Sequence, residues 1–250
     1  MRRLGWFLLV LAACKSDPSN YMVGGGGGGG GGGNVDAPGH GSGSAIQDAP
    51  SAIDANLFSG RVCLVSDPRT LTDSSTCPST GVGGLTVRLG NHVTTTADDG
   101  TFTIVGDPQA QPVWRVTGTN IVSSFEPLGY YYVPALTTAG YNTLLTNNGS
   151  GKTVTLVDGE GSIIALEFSN GAGAAGVTAV ANPLSRYEGY YSAASGWSQT
   201  STDAHGMAWL PGINVGTAAV TSNIGTTAQV TISNVPVFDG GVTFIESVFP

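Results

Sequence analysis

Four groups of residues in this sequence have side chains that could do chemistry: a GSGKT run, three histidines, a set of glutamates and three cysteines. The GSGKT run at residues 149–153 is similar to the end of a phosphate-binding loop. However, position 146 is Thr where such a loop needs Gly, and a strand-like run follows where a helix should bind the phosphate. We therefore predict no nucleotide site and interpret the run as a turn between domains.

Catalysis by a triad or by a zinc ion would need histidines close to partner residues. His40 lies in a glycine-rich stretch, His92 begins a predicted strand, and His205 lies in a predicted turn. No Gly-x-Ser-x-Gly sequence surrounds a serine, and two histidines in separate predicted domains are too few for a zinc site. The sequence predicts no catalytic residue, no metal and no cofactor, with an unrecognised hydrolase as the alternative.

The acidic residues show no spacing that pairs them as glycoside hydrolysis requires. We expect Glu160, Glu167 and Glu188 to be solvated. The chain has 17 acidic against 9 basic residues, a net charge of −8, and removal of residues 1–13 with their two arginines leaves 7 − 17 = −10. Such a chain does not supply the basic contacts to phosphate that bind nucleic acid, so no nucleic-acid partner is predicted.

The amino terminus has a basic start followed by a short apolar run, LGWFLLVL at residues 4–11. Spanning a membrane takes about 20 apolar residues, so the run is typical of a secretion signal. The tetrad LAAC at residues 11–14 resembles the lipobox of bacterial lipoproteins. The resemblance implies that residues 1–13 are a signal peptide and that acylated Cys14 anchors an exported chain in a membrane. An ordinary signal peptide is the alternative. In that family an aspartate after the cysteine favours retention in the inner membrane, so the resemblance, with Lys15 at this position, implies the outer membrane, on its periplasmic face or on the cell surface.

Residues 14–55 comprise the predicted lipidated cysteine and a segment of low complexity, which contains ten consecutive glycines at 24–33. The rest is rich in Gly, Ser, Ala, Pro and Asp, so it cannot bury enough apolar surface to offset its chain entropy. We predict a disordered linker with an average reach of about 35 Å.

Cys63 and Cys77 remain as an even pair once Cys14 is acylated. An exported chain is exposed to an oxidising compartment, where a disulfide is the expected state. The alternative, a metal site, lacks any further cysteine or histidine nearby in the sequence.

From residue 57 onward, short Val-, Thr- and Ile-rich runs alternate with Gly, Asn and Asp turns, which predicts many short strands. The only helix expected is a single turn at residues 138–146. The pattern GLTVRLGNHVTTTADDGTFTIVG at residues 84–106 is repeated in GVTAVANP at 176–183 and TSTDAHGMAWLPGINVGTAAVTS at 200–222. Each copy contains an Asp-containing turn that ends in Gly, where Asp bonds the turn backbone and Gly takes a positive φ.

These two copies resemble the carboxypeptidase regulatory-like family, a transthyretin-like β-sandwich. The resemblance implies an all-β fold with two tandem Ig/transthyretin-like sandwich domains, at residues 56–157 and 158–250, and no catalysis. The first copy departs from the family by an insertion that holds Cys63 and Cys77. The second departs by an insertion near residues 183–199.

The second insertion carries the candidate ligand-binding residues, Tyr187, Tyr190, Tyr191 and Trp197. Aromatic rings stack on the apolar faces of sugars and serve well at recognition surfaces, and loops on a sandwich often bind ligands. The alternative is that these rings pack against the end of the sandwich.

Together these features predict a non-catalytic, lipid-anchored envelope protein with a structural or adhesive role. The predicted partners are the membrane, through the anchor, and either a polysaccharide or an envelope protein. Two alternatives stay open besides the hydrolase. One is a carbohydrate-binding surface lipoprotein, and the other is a periplasmic assembly partner that pairs through an exposed sheet edge.

The disulfide can be checked by peptide mapping, since trypsin separates the two cysteines after Arg69. Without reduction, we expect peptides 62–69 and 70–88 to elute as one linked species that reduction splits. Recovery of both peptides with alkylated thiols from the unreduced protein would contradict the prediction. The bridge should stabilise the fold by about 3 kcal/mol, because it closes a loop of about 15 residues.

Overall fold

The computed structural model describes residues 57–71, 81–105, 113–127, 132–226 and 228–250. These residues lie in one compact unit and are mostly β-strand, which confirms the predicted all-β fold class. The predicted signal peptide, residues 1–13, and the predicted linker, residues 14–55, lie outside the described residues.

The strands follow one another along the chain, with one α-helix and one short 3₁₀ helix among the described residues. In order they are β1 Leu57–Val65, β2 Thr86–Leu89, β3 His92–Thr95, β4 Thr101–Val105, β5 Val113–Thr117, β6 Ser124–Pro127, β7 Tyr132–Leu136, β8 Glu160–Ser169, β9 Ala172–Gly173, β10 Val177–Asn182, β11 Tyr190–Ala193, β12 Gly196–Ser198, β13 Met207–Asn214, β14 Gly216–Ile224, β15 Ala228–Val237 and β16 Val242–Phe249. The 3₁₀ helix is Pro68–Thr70 and helix α1 is Thr138–Thr146. The helix is therefore longer than the single turn that the sequence predicts.

The described strands form three sheets. Two have three strands each, in the orders β4-β1-β7 and β10-β14-β15. The third has ten strands, ordered β12-β11-β13-β8-β16-β6-β5-β2-β3, with β9 paired to β8. This large sheet crosses the predicted domain boundary at 157/158, because β16 pairs in parallel with β8 on one side and with β6 on the other. The division into two domains stays a prediction, and the structure adds that the two halves share one sheet.

Strand β8 lies at the centre of the packing and is buried on both faces. Ile164, Leu166 and Phe168 point into a core cluster with α1 and β13, whereas Ile163 and Ala165 point into a second cluster beneath β10-β14-β15. A third cluster lies between β4-β1-β7 and the β5-β2 end of the large sheet. A strand covered on both faces carries a nearly continuous apolar run rather than an alternating one.

Both Asp-Gly turns of the predicted repeat have the expected geometry. Asp99 accepts a hydrogen bond from the Thr101 amide at 2.9 Å, and Gly100 follows with φ +83°. Asp203 accepts one from the His205 amide at 3.0 Å, and Gly206 has φ +63°. These aspartates therefore stabilise local turns.

Candidate functional site

The predicted aromatic residues are placed mainly in the core. Tyr190 and Trp197 pack against Trp209, with ring centroids 5.1 and 6.4 Å away. Tyr191 lies in the cluster on the opposite face of the sheet, because successive side chains of strand β11 alternate. The four rings therefore do not form one continuous exposed surface. The packing alternative describes three of them, and ligand binding stays a prediction.

Tyr191 has a clear structural contact at the free edge of strand β10. Its hydroxyl donates to the Ala179 carbonyl at 3.0 Å and accepts from the Ala179 amide at 3.2 Å. Burial raises the pKa of this hydroxyl. Thr202 does the same for Val177, since its Oγ1 accepts from the Val177 amide at 2.9 Å and its own amide donates to the Val177 carbonyl at 3.0 Å. Two backbone positions of this edge are thus already occupied.

Tyr187 is the predicted ring that stays partly exposed, and it borders an open cleft of about 450 Å³. Its hydroxyl donates to the Thr155 carbonyl at 2.8 Å and accepts from the Thr155 amide at 3.0 Å. The cleft is also lined by Tyr191, so two of the four predicted rings border it, and by Leu184, Glu188 and Gln199. The Leu184 side chain is 73% exposed, so the cleft combines one apolar patch with polar walls.

An ion pair between Arg186 and Glu160 fixes the wall of this cleft. The guanidinium contacts the carboxylate through Nε at 2.6 Å and Nη2 at 2.7 Å, and it lies 4.8 Å from the centre of the Tyr187 ring. The Arg186 amide donates to the Gly212 carbonyl at 2.8 Å. Arg186 holds the pKa of the Glu160 carboxyl below its usual value. Because this bidentate contact engages the guanidinium fork, Arg186 positions the loop rather than presenting its charge to a ligand.

The expectation of solvated acids is wrong for Glu160 and Glu167 and correct for Glu188. Glu160 is 5% exposed and Glu167 is fully buried, while the Glu188 side chain is 76% exposed. Both buried residues belong to strand β8, which is covered on two faces. Sequence reasoning treated each glutamate as a surface residue and so missed their burial. The available signal was the apolar run GSIIAL between the two acids.

The carboxyl of Glu167 and that of a further residue, Glu126, lie in the interior of the large sheet. Glu167 Oε1 accepts from the Ser222 hydroxyl at 2.7 Å, and desolvation raises the pKa of Glu167 to about 7. Glu126 on β6 is also buried, and desolvation together with the nearby Glu246 raises its pKa well above the usual range. Among the described residues, Oε2 of each of these three glutamates has no hydrogen-bond partner. The raised pKa values of Glu167 and Glu126 reflect the electrostatic cost of burying their charged forms.

The histidines and cysteines are not brought together in the part of the chain that the structure describes. His205 Nδ1 lies 2.9 Å from Asp203 within its own turn, and His92 is exposed on the edge strand β3. No group of three or more metal-ligating side chains occurs among residues 57–71, 81–105, 113–127, 132–226 and 228–250. Cys63 is buried in β1, while Cys77 and Cys14 lie outside the described residues, so the disulfide and the lipidation stay predictions. No described helix is long and apolar enough to cross a membrane.

Comparisons with known proteins find structural similarity only at a low level. No protein-family model matches the sequence, and no curated protein matches it. The minor pilin of Streptococcus agalactiae is 8% identical, with a TM-score of 0.26, covering 77% of this chain and 95% of that one. A streptococcal ancillary pilin is 10% identical with a TM-score of 0.22, covering 77% and 68%. The shaft pilin of Lactobacillus rhamnosus GG is 11% identical with a TM-score of 0.22, covering 78% and 98%. At these values the similarity carries no argument about function.

Substitution Arg186→Met should destabilise the fold by about 2 kcal/mol, because it leaves the buried Glu160 carboxylate without its charged partner. Lys152→Met is the matched control. Lys152 pairs with Glu188 at 3.4 Å with both side chains more than half exposed, and the expected loss is under about 0.5 kcal/mol. Urea unfolding at pH 7 measures both.

The pH dependence of the free energy of unfolding provides a second test of the Arg186–Glu160 pair. Since the pKa of Glu160 is lowered in the folded state, its stabilising contribution is present above the unfolded pKa and is lost as the pH falls through the folded pKa. Arg186→Met should remove this loss on the acid side. Equal destabilisation by the two methionine variants would contradict the assignment.

Substitution Glu167→Gln should change the stability profile in the opposite pH range. The folded pKa of about 7 lies above the ordinary 4.5, so protonated Glu167 stabilises the fold fully below about pH 4.5, and this contribution is lost as the pH rises through about 7. The amide keeps a neutral side chain at every pH. Between pH 4.5 and pH 8 we expect the free energy of unfolding of the wild type to fall by roughly 3 kcal/mol through this titration, and we expect no such fall in the variant.

Glu188→Gln, at an exposed position, is the control for this experiment and should keep the wild-type profile. The buried Glu126 is unchanged in all three proteins, so its own titration cancels in the comparison. Parallel free-energy profiles for the wild type and Glu167→Gln, measured by denaturant unfolding across this range, would show that Glu167 does not titrate as the structure indicates.

Proposed function

We propose that this chain is a lipid-anchored, non-catalytic protein of the bacterial envelope, whose β-sandwich unit has a structural or adhesive role. The proposal joins the lipobox-like tetrad at residues 11–14 and the glycine-rich linker to the fold that follows them. It includes the resemblance to carboxypeptidase regulatory-like modules, an outer-membrane location, and a polysaccharide or envelope protein as the partner.

The observation that carries the proposal is the position of the strand nearest the linker. Strand β1 is bonded on one side to β4, with Leu57 opposite Val105, and on the other side to β7, with Val65 opposite Leu136. A pull on the linker would therefore act on an internal strand. Removing it breaks two ladders of hydrogen bonds, each bond contributing about 1 kcal/mol net. This arrangement suits a module that is held at its amino terminus.

The contacts of the ionisable groups support a non-catalytic role. Arg186 is paired with Glu160, His205 is bonded to Asp203 in a tight turn, and Glu167 is bonded to a serine in the core. Each of these groups therefore has a partner within the fold. The cleft beside Tyr187 is the most suitable place for a sugar, since it offers a partly exposed ring and the exposed Leu184.

Substitution Cys14→Ser tests the anchor. We expect it to abolish incorporation of a labelled fatty acid and to move the protein from the membrane fraction to the soluble fraction. Lys15→Gln, one residue later, should leave both readouts unchanged and controls for damage to the signal peptide. Continued acylation of Cys14→Ser would rule out the proposed anchor.

Protease treatment of intact cells then separates the possible roles. A surface location predicts loss of the folded unit from the cells while periplasmic controls stay intact. Full protection would place the unit in the periplasm and would contradict an adhesive role, leaving the structural one.

A further inference from the structure

Strand β15 is the longest edge strand among the described residues. It has ten residues, Ala228–Val237, and within the described part of the chain it pairs with β14 alone. The other strands at sheet edges, β3, β4, β7, β9, β10 and β12, have two to six residues. A long edge presents a row of backbone amides and carbonyls to which another chain can add.

The direction of the backbone groups of β15 follows from the two ladders of its sheet. The amide and carbonyl of Ala179 on β10 bond to the Tyr191 hydroxyl and so point away from β14. The amide and carbonyl of the next residue, Val180, therefore point towards β14 and bond to Thr221. Backbone groups alternate sides along a strand, so Ser222 bonds to β15 at Val230. The amide and carbonyl of Gln229 and of Thr231 therefore point away from β14.

The two edges of this sheet differ in their protection. On β10, Tyr191 and Thr202 already occupy the outward groups. On β15 the protecting features lie near its carboxyl end, where Asn234 has φ +59° within a bulge and Pro236 has no amide hydrogen. Residues 228–233 precede these features, and we name them the open edge.

The open edge is uncharged in an acidic protein. Its sequence, AQVTIS, has no Asp, Glu, Lys or Arg, whereas the whole chain has a net charge of −8. Two copies of an acidic chain repel each other, and they do so least where the contacting segments are neutral. The side chains of Gln229, Thr231 and Ser233 are exposed, and Val230, Thr231 and Ile232 suit a paired strand.

We propose that the open edge pairs in antiparallel fashion with the same edge of a second copy, joining two β10-β14-β15 sheets into one. A strand that meets its own copy across a two-fold axis is antiparallel to it, which is the self-complementary contact of a symmetric dimer. With Thr231 opposite the partner copy's Thr231, the outward amide and carbonyl of each exchange hydrogen bonds.

The contact is small compared with the roughly 1,200–2,000 Å² of a stable complex. The association is therefore weak in dilute solution and stronger where copies are concentrated. Confinement to a membrane would concentrate them, and this part of the inference rests on the proposed lipid anchor. With purified full-length chain in detergent, the pairing can be measured at a chosen protein concentration and without a membrane. A failure of the pairing can therefore be distinguished from a failure of the proposed anchor.

Disulfide trapping tests the pairing directly. Full-length Thr231→Cys, oxidised in detergent at high protein concentration, should give a covalent dimer that reductant removes, because directly opposed residues of paired strands lie within disulfide reach. Thr217→Cys is the matched control. It is also an exposed threonine of this sheet, but it lies on the central strand β14, opposite Pro236 of β15, and not on the open edge. It should stay monomeric.

Thr231→Lys provides a second variant that needs no oxidation. Two lysines directly opposite each other should lower the dimer fraction about fivefold in sedimentation measurements, with the unfolding profile unchanged. Equal trapping of Thr231→Cys and Thr217→Cys, or covalent capture of a different protein, overturns the proposal. A wild-type chain that is monomeric at every concentration also overturns it, and this holds even if the cysteine variant fails to fold.

Discussion

The parallel pairing of β16 with β8 and β6 is the contact on which the rest of the structure depends. β16 is the last strand of the described chain, and it lies between a strand of the first half and a strand of the second half. Without it the large sheet would end at β8 on one side and at β6 on the other. The long separation in sequence between β6 and β16 makes this contact entropically costly to close.

Burial of β8 on both faces explains the acid groups in the interior. A strand between two packed layers has no solvent face on which to place a polar side chain, so Glu167 is held in the core beside Ser222. The serine hydroxyl satisfies Oε1 alone, and desolvation raises the pKa to about 7. Neutralisation of a buried carboxyl in this way is less costly than burial of its charge. The same reasoning holds for Glu126, where the nearby Glu246 adds to the effect.

Local features were predictable from the sequence, and long-range features were not. The turn at Asp99 and Gly100 could be predicted because the hydrogen bond that forms it joins residues two positions apart. The alternation of short strands with turns is also a pattern of neighbouring residues. The nine-residue helix α1 was underestimated because Gly140 and several threonines are weak helix formers, although Thr137 caps it by accepting from the Gly140 amide at 3.0 Å. The shared sheet and the burial of Glu167 depend on which strands pair, and the spacing of residues contains no such information.

The low charge content of the chain has opposite effects in the core and at the edges. Only 10% of residues are charged, which suits strands that are covered on both faces, as β8 is. The same scarcity removes the lysines that usually protect a sheet edge. In place of lysines, neutral groups protect the edge of β10, namely the Tyr191 hydroxyl, which bonds to Ala179, and Thr202, which bonds to Val177. On β15, neutral residues protect only the carboxyl end, at Asn234 and Pro236. The low charge content that permits the layered core therefore also leaves the open edge of β15 without protecting charges.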